Sequence, residues 1–272
     1  MITSTMTLEE IAKEILADFH EVHDRWHRFE NKFKRMCLNQ PKYPWIWETA
    51  IKTKRYNEWN ILYSVWSKKE TKIVEPVFIV FFHYEGGVWT ASLLKDLVLF
   101  FPVHFFERYQ ERYLKSLTAD IQISNKDIRK IFYILNNRFS IYKRSREDFI
   151  RGFCYNGMVF GDWISEKCGI VKTFISIEEM KVNQFAEYFD CLKNRLIVDM
   201  FRCRKGIDAV SGAEFVDYIP DTYFEHEEMN NFLWNLGNTL LNVTFNKCVE
   251  FYSEHKLEVD KCSGMLDAIM DN

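Results

Sequence analysis

Three side chains that can bind or transfer charge recur at four-residue intervals near the middle of the chain: His104, Arg108 and Arg112. Residues four apart lie one turn apart on the same side of an α-helix, so the three are expected to form one polar stripe. An imidazole that titrates near neutral pH, aligned with two fixed cations, suits contact with a phosphate or another anion. The alternative interpretation is an amphipathic helix whose solvent-facing side carries a histidine and two arginines.

The aromatic side chains of the same stretch lie mostly on its other sides. Phe105 and Phe106 are expected to face a core, and Tyr109 and Tyr113 are expected either to face it or to stack on nucleic-acid bases. The elements that pack on this helix are therefore expected in the chain both before and after it.

The composition indicates a folded protein without long linkers. The chain has 272 residues, of which 47% are hydrophobic and 17% aromatic, but only 10 Gly and 5 Pro. No apolar run approaches the roughly 18 residues that a membrane span needs, and the first residues lack the pattern of a secretion signal. Seven cysteines without a C-x-x-C pair are typical of reduced, mostly buried thiols, so we expect a cytoplasmic protein with no membrane contact.

Charge is distributed unevenly along the chain. Between residues 128 and 146 there are six basic residues and no acidic one, whereas residues 206–272 hold three Lys and thirteen Asp or Glu. The basic run predicts a surface for RNA or another anion. Its members are Arg129, Lys130, Arg138, Lys143, Arg144 and Arg146. For the acidic part, an ordinary solvated face is the simpler interpretation.

The pattern along the chain predicts an α+β protein. Thr7 and Glu10 have the spacing of a capping box at the start of a long N-terminal helix that ends near Leu38. After Pro102, the stretch that begins at His104 and a second helix that begins at Ser124 form a central helix pair. The apolar faces of residues 178–204 and 225–254 predict C-terminal helices.

Strand formers are concentrated on both sides of the central helix pair. They occupy residues 56–66, 73–84, 88–94, 149–155, 158–164 and 170–175, and a further strand begins at Tyr142. Gly86-Gly87 and Asn156-Gly157 are hairpin signals, and residues 77–82, apolar on both faces, indicate a central strand. We expect one mainly antiparallel sheet on which the helices pack.

The predicted organisation is one compact domain over residues 1–272. It comprises an N-terminal helix at 1–40, a sheet-forming core at 50–176 and a helical C-terminal part at 177–272.

Three histidines of the N-terminal helix, His20, His23 and His27, share one side of it. Three such side chains could ligate zinc. Their order is not the H-E-x-x-H of zinc proteases, and Arg25 and Arg28 beside them repel a cation. We therefore predict a polar helix face, and neither a metal nor a cofactor.

Residues 104–176 resemble a family of small domains in the broad RelE, colicin and barnase-like group of ribonuclease toxins. The matching features are the H-x-x-x-R-x-x-x-R helix at His104, the helix start at Ser124, the Asn156-Gly157 hairpin and a last strand with Thr173. The linker at 114–122 is longer than that of the family, and the match covers roughly a quarter of the chain.

The resemblance implies metal-independent cleavage of RNA. Such a reaction needs a base for the ribose 2′-hydroxyl, an acid for the leaving oxygen and cations on the phosphate. On this interpretation His104 is the acid or base, Arg108 and Arg112 hold the phosphate, and Thr173 donates a hydrogen bond to it. Lys172 and Thr173 are not both expected to point into one site, because neighbours in a strand face opposite ways.

The competing hypothesis is a non-enzymatic protein-interaction or scaffold protein of a mobile element or phage. More than half of the chain lies outside the resemblance, and its aromatic strands and acidic C-terminal helices suit docking of a protein. The sequence contains no nucleophile elbow, P-loop or Gly-rich dinucleotide turn. Partners predicted from the sequence are therefore RNA, or a protein partner or inhibitor.

Overall fold

The computed structural model describes residues 1–73, 75–94, 96–116, 127–137, 139–142, 149–205, 231–235 and 239–270. The chain forms two compact units. The first consists of Met1–Gln40, Ile46–Ser64 and Glu75–Ser176, and the second of Pro41–Trp45, Val65–Val74 and Ile177–Asn272. All four residues with a predicted catalytic role belong to the first unit, while the prediction of a single domain stays a prediction.

The N-terminal helix α1 (Leu8–Leu38) begins as the sequence predicts. The Thr7 side chain accepts a hydrogen bond from the Glu10 amide, and the Glu10 carboxylate accepts from the Thr7 amide at 2.8 Å, which completes the capping box. Aromatic contacts attach the apolar side of α1 to the sheet: Phe19 packs on Trp59 and Phe78, and Trp26 packs on Tyr63.

Nine strands form one sheet, and this confirms the predicted α+β class. The strands are β1 (Trp45–Lys52), β2 (Glu58–Val65), β3 (Val77–Tyr84), β4 (Gly87–Leu94), β5 (Leu97–Phe101), β6 (Ser140–Tyr142), β7 (Phe149–Cys154), β8 (Gly157–Ser165) and β9 (Cys168–Ser176). Their order across the sheet is β1-β2-β3-β4-β5-β9-β8-β7-β6. The two strand blocks of the sequence join where β5 pairs with β9 in parallel. The pairings from β2 to β5 and from β6 to β9 are antiparallel.

Helices cover both faces of this sheet. The central pair consists of α2 (Val103–Arg112) and α3 (Ile128–Leu135). Val80 lies opposite Trp59, whose ring contacts α1, whereas Phe81 lies opposite Thr90, whose hydroxyl is 2.8 Å from that of Tyr133 in α3. Because Val80 and Phe81 are neighbours in β3, α1 and α3 lie on opposite faces. The prediction of a central strand at residues 77–82 is confirmed.

The second unit contains two long helices, α4 (Val182–Lys205) and α5 (Thr239–Met270). Phe185 of α4 packs on Phe251 of α5, with ring centroids 4.2 Å apart. Helix α5 is kinked at His255, and the Tyr252 hydroxyl donates to Asp260 across the kink at 2.7 Å. Helix α5 therefore continues well beyond residue 254, the end predicted from the sequence.

Other sequence predictions need correction or lie outside the described residues. Strands β1 and β5 were not predicted, because β1 follows two prolines and β5 is a short apolar run directly before Pro102. Helix α3 begins at Ile128 with Asp127 as its cap, while Ser124 lies outside the described residues. Four described cysteines are buried, as expected for structural thiols. Among the described residues, no helix is both long and apolar enough to cross a membrane.

Candidate functional site

Helix α2 begins directly where β5 ends. Its N-cap residue, Pro102, makes no side-chain capping hydrogen bond, and its first turn contains no acidic residue. The first amides of a helix generally lack partners within the helix and carry partial positive charge, although here the Phe105 amide donates to the Pro102 carbonyl at 3.1 Å. His104 lies in this first turn with its side chain exposed, so the imidazole and these amides occupy the same end of the helix.

The aromatic side of α2 is core. Tyr109 is fully buried, and its ring packs on Phe174 of β9 at 4.9 Å. Its hydroxyl oxygen accepts hydrogen bonds from Asn136 Nδ2 at 3.2 Å and Asn156 Nδ2 at 2.9 Å. Burial raises the pKa of Tyr109 well above its usual value, so the side chain remains a neutral phenol. Tyr109 and Tyr113, which is also buried, therefore pack in the core and do not stack on bases.

The two arginines of the stripe contact the protein backbone. Arg108 Nη1 donates to the Lys172 carbonyl at 3.3 Å, and Arg112 Nη1 donates to the Phe174 carbonyl at 2.6 Å. The pairing of β5 with β9 ends at Ile170, so both carbonyls belong to the part of β9 beyond its pairing with β5. The arginines thus attach α2 to the part of β9 that β5 does not pair with. These backbone contacts differ from the phosphate contacts predicted from the sequence.

Thr173 lies beside these carbonyls, but its side chain points to the other face of the sheet. Thr173 is opposite Phe160, and its neighbour Phe174 points to α2. The register then moves from Thr173 opposite Phe160 to Val171 opposite Gly161, which leaves Lys172 as an extra residue. Such a β-bulge interrupts the alternation of side chains, so Lys172 and Thr173 need not point to opposite faces of the sheet.

His104 lines a solvent-open depression of ≈ 410 Å³. Its lining includes Leu8, Glu85, Trp89, His104, Glu107 and Lys172. Glu107 follows His104 by almost one helical turn, so the carboxylate and the imidazole reach the same space. Lys172 forms an ion pair with Asp162 at this site. Of the four predicted catalytic residues, only His104 lines the depression.

This arrangement brings together an imidazole, a carboxylate, an ammonium group and an uncapped helix end. The imidazole can act as a proton donor and the carboxylate as a proton acceptor. The ammonium of Lys172 and the first amides of α2 favour an anion. Glu85 lines the depression as well and Asp162 pairs with Lys172, so the positive charge of the site is enough for a single phosphate group.

The two described members of the basic run have acidic partners. Arg129 forms an ion pair with Asp127, and Lys130 forms one with Glu48. The guanidinium of Arg129 also lies over the Phe81 ring at 5.4 Å. The remaining members, Arg138, Lys143, Arg144 and Arg146, lie outside the described residues. Their predicted role in RNA binding stays a prediction.

The three histidines of α1 are arranged as a polar face. The rings of His23 and His27 stack at 6.1 Å, and His27 Nδ1 is 3.2 Å from Glu30. Within the described parts of the chain, no group of three or more His, Cys, Asp or Glu side chains is arranged to hold a metal ion.

Glu107 and Trp89 line the depression although neither was predicted to, and Lys172 lines it although the site was assigned to its neighbour Thr173. Glu107 had a usable signal, because a carboxylate three residues after a histidine shares its helix face. Lys172 and Trp89 had none, since their positions depend on the bulge and on the pairing of distant strands. Comparisons with protein-family models, curated proteins and solved structures found no match for this chain.

Proposed function

We propose that this protein is a metal-independent endoribonuclease whose site is the depression beside His104. The observation that carries the proposal is the convergence of His104, Glu107 and Lys172 on one open depression at the start of α2. These groups supply the acid, the base and the cation that cleavage of an RNA phosphodiester requires without a metal ion.

In this mechanism Glu107 accepts the proton of the ribose 2′-hydroxyl. The 2′-oxygen then attacks phosphorus, and the bond between phosphorus and the 5′-oxygen of the next nucleotide breaks. His104, in its protonated form, gives its proton to that leaving oxygen. The products are a 2′,3′-cyclic phosphate and a new 5′-hydroxyl, so atoms and protons balance.

Lys172 and the first amides of α2 stabilise the negative charge that grows on the phosphate oxygens in the transition state. The Trp89 side chain, which is largely buried, forms part of the apolar wall of the same depression. Arg108 and Arg112 act as positioning residues: by attaching α2 to β9 they hold His104 and Glu107 near Lys172.

The test compares an RNA oligonucleotide with a DNA oligonucleotide of the same sequence, each incubated with the full chain in EDTA. We expect cleavage of the RNA alone, because DNA lacks the attacking 2′-hydroxyl, and fragments that end in a 2′,3′-cyclic phosphate. Cleavage of both substrates, or cleavage of RNA that EDTA abolishes, contradicts the mechanism.

Protein binding is the second candidate function, and an observation on the second unit favours it. Trp234 and Leu257 are 81% and 79% exposed, so both side chains are accessible to a protein partner. Failure of the purified protein to bind or cleave any RNA tried, together with retained folding, favours this candidate over the ribonuclease.

A further inference from the structure

Strand β1 lies at one end of the nine-stranded sheet. Among the described strands its one neighbour is β2, so its other edge is not paired by any of them. With eight residues it is longer than the about five or six residues of a typical strand. Trp47 anchors it by packing on Trp26 and Phe29 of α1. A long, anchored edge strand is a ready template for pairing with another strand.

The hairpin that follows β1 shows which of its backbone groups face outward. The Thr53 amide donates to the Asn57 carbonyl at 3.0 Å, so the backbone groups of Thr53 point toward the β2 side. Backbone groups alternate along a strand, so those of Glu48, Ala50 and Lys52 point outward. In agreement, the Lys52 carbonyl accepts a hydrogen bond from Arg25 Nη1 of α1, at 2.9 Å, instead of one from β2.

The side chains of these three outward residues share one face of the sheet and are exposed. Ala50 lies in the middle and is too small to obstruct an approaching strand. Glu48 and Lys52 flank it at equal distances with opposite charges. A two-fold rotation about an axis through Ala50 therefore exchanges the positions of Glu48 and Lys52.

We propose that this edge is a dimer interface, occupied by β1 of a second copy of the chain. The two strands pair antiparallel about Ala50, so that Glu48 of each copy lies opposite Lys52 of the other. Such a pairing is isologous, and it joins two ion pairs to the backbone hydrogen bonds of the extended sheet. A parallel pairing in register brings like charges together, so the charges select the antiparallel arrangement.

Groups with existing partners can take part in this pairing. The Glu48 carboxylate, which forms an ion pair with Lys130, has a second oxygen for Lys52 of the other copy. The Lys52 carbonyl, which accepts from Arg25, has a second lone pair for an amide.

The test measures the molar mass of the full chain in solution by sedimentation over a range of concentrations. Wild type is expected to form dimers in a concentration-dependent manner. Lys52→Glu places like charges opposite each other twice and should weaken dimerisation by about tenfold or more. The double variant Glu48→Lys, Lys52→Glu restores both ion pairs and should restore the dimer, while Lys13→Glu, on the exposed side of α1, serves as the matched control.

A second variant, Ala50→Pro, tests the backbone part. It removes an outward N–H that β2 does not use, so the fold should survive and the dimer should not. A monomeric wild type at every concentration, a folded Ala50→Pro variant that remains dimeric, or a double variant as weak as Lys52→Glu would each overturn the proposal. If Ala50→Pro does not fold, the comparison of Lys52→Glu with the double variant tests the proposal.

Discussion

Arg112 of α2 donates from Nη1 to the carbonyl oxygen of Phe174 in β9 over 2.6 Å. The Phe174 side chain meanwhile packs on Tyr109, one turn earlier in the same helix. One residue of β9 therefore fixes α2 through both its backbone and its ring. The two arginines of the stripe both donate to backbone carbonyls of β9, whereas the His104 side chain is exposed.

Arg112 should matter for stability more than Arg108. Arg112→Ala removes a short, partly buried hydrogen bond from a charged group, and we expect unfolding in urea to cost about 2 kcal/mol less than for wild type. Arg108→Ala is the matched control: its longer contact is exposed, and the expected loss is below about 0.5 kcal/mol. Equal stability of both variants, with RNA affinity lost in Arg112→Ala, would show that Arg112 binds the phosphate and does not stabilise the fold.

Tyr109→Phe tests the buried polar group under the site. The substitution keeps the ring but removes the oxygen that accepts from Asn136 and Asn156, so buried amide hydrogens lose a partner. We expect a loss of about 2 kcal/mol in the free energy of unfolding. Tyr56→Phe, at an exposed turn residue, should change it by less than about 0.5 kcal/mol. Similar melting temperatures for the two variants would show that the Tyr109 hydroxyl is dispensable.

The elements that the sequence predicted well depend on local chemistry. The capping box at Thr7 acts within one helical turn. The turn at Glu85 and Gly86 has φ of 48° and 75°, the left-handed region that makes a glycine useful there. The hairpin at Asn156-Gly157 was also predicted, but the structure needs its glycine for a different reason. Gly157 is needed because a Cβ there would lie 2.2 Å from the Ile175 carbonyl oxygen.

The features that the sequence did not predict depend on distant parts of the chain. The spacing of His104, Arg108 and Arg112 gives their common side but not the strand that faces it. That strand, β9, is brought there by its parallel pairing with β5, about 70 residues earlier in the chain. The bulge at Lys172 likewise arises from the register with β8, and the chain near Lys172 carries no local sign of it.

Asp18 should be among the residues of α1 most sensitive to substitution. Its buried Oδ2 accepts from Thr53 Oγ1 at 2.9 Å and from Asn57 Nδ2 at 2.6 Å, and so ties α1 to the hairpin after β1. Asp18→Ala leaves these donors without their acceptor, and we expect a loss of about 3 kcal/mol or more in urea unfolding. Asp24→Ala, at an exposed position of the same helix, should cost less than about 0.5 kcal/mol. A comparable small effect at both positions would contradict the assigned role of Asp18.

The most direct test of the central claim is the single-turnover rate of RNA cleavage in EDTA by wild type and by His104→Ala. Loss of a general acid typically lowers the rate by about 10² to 10⁴, and we expect a decrease of that size in a variant that remains folded. His20→Ala, which removes an exposed histidine of α1, should cleave at the wild-type rate. Equal rates for wild type and His104→Ala would contradict the assignment of the site to this depression.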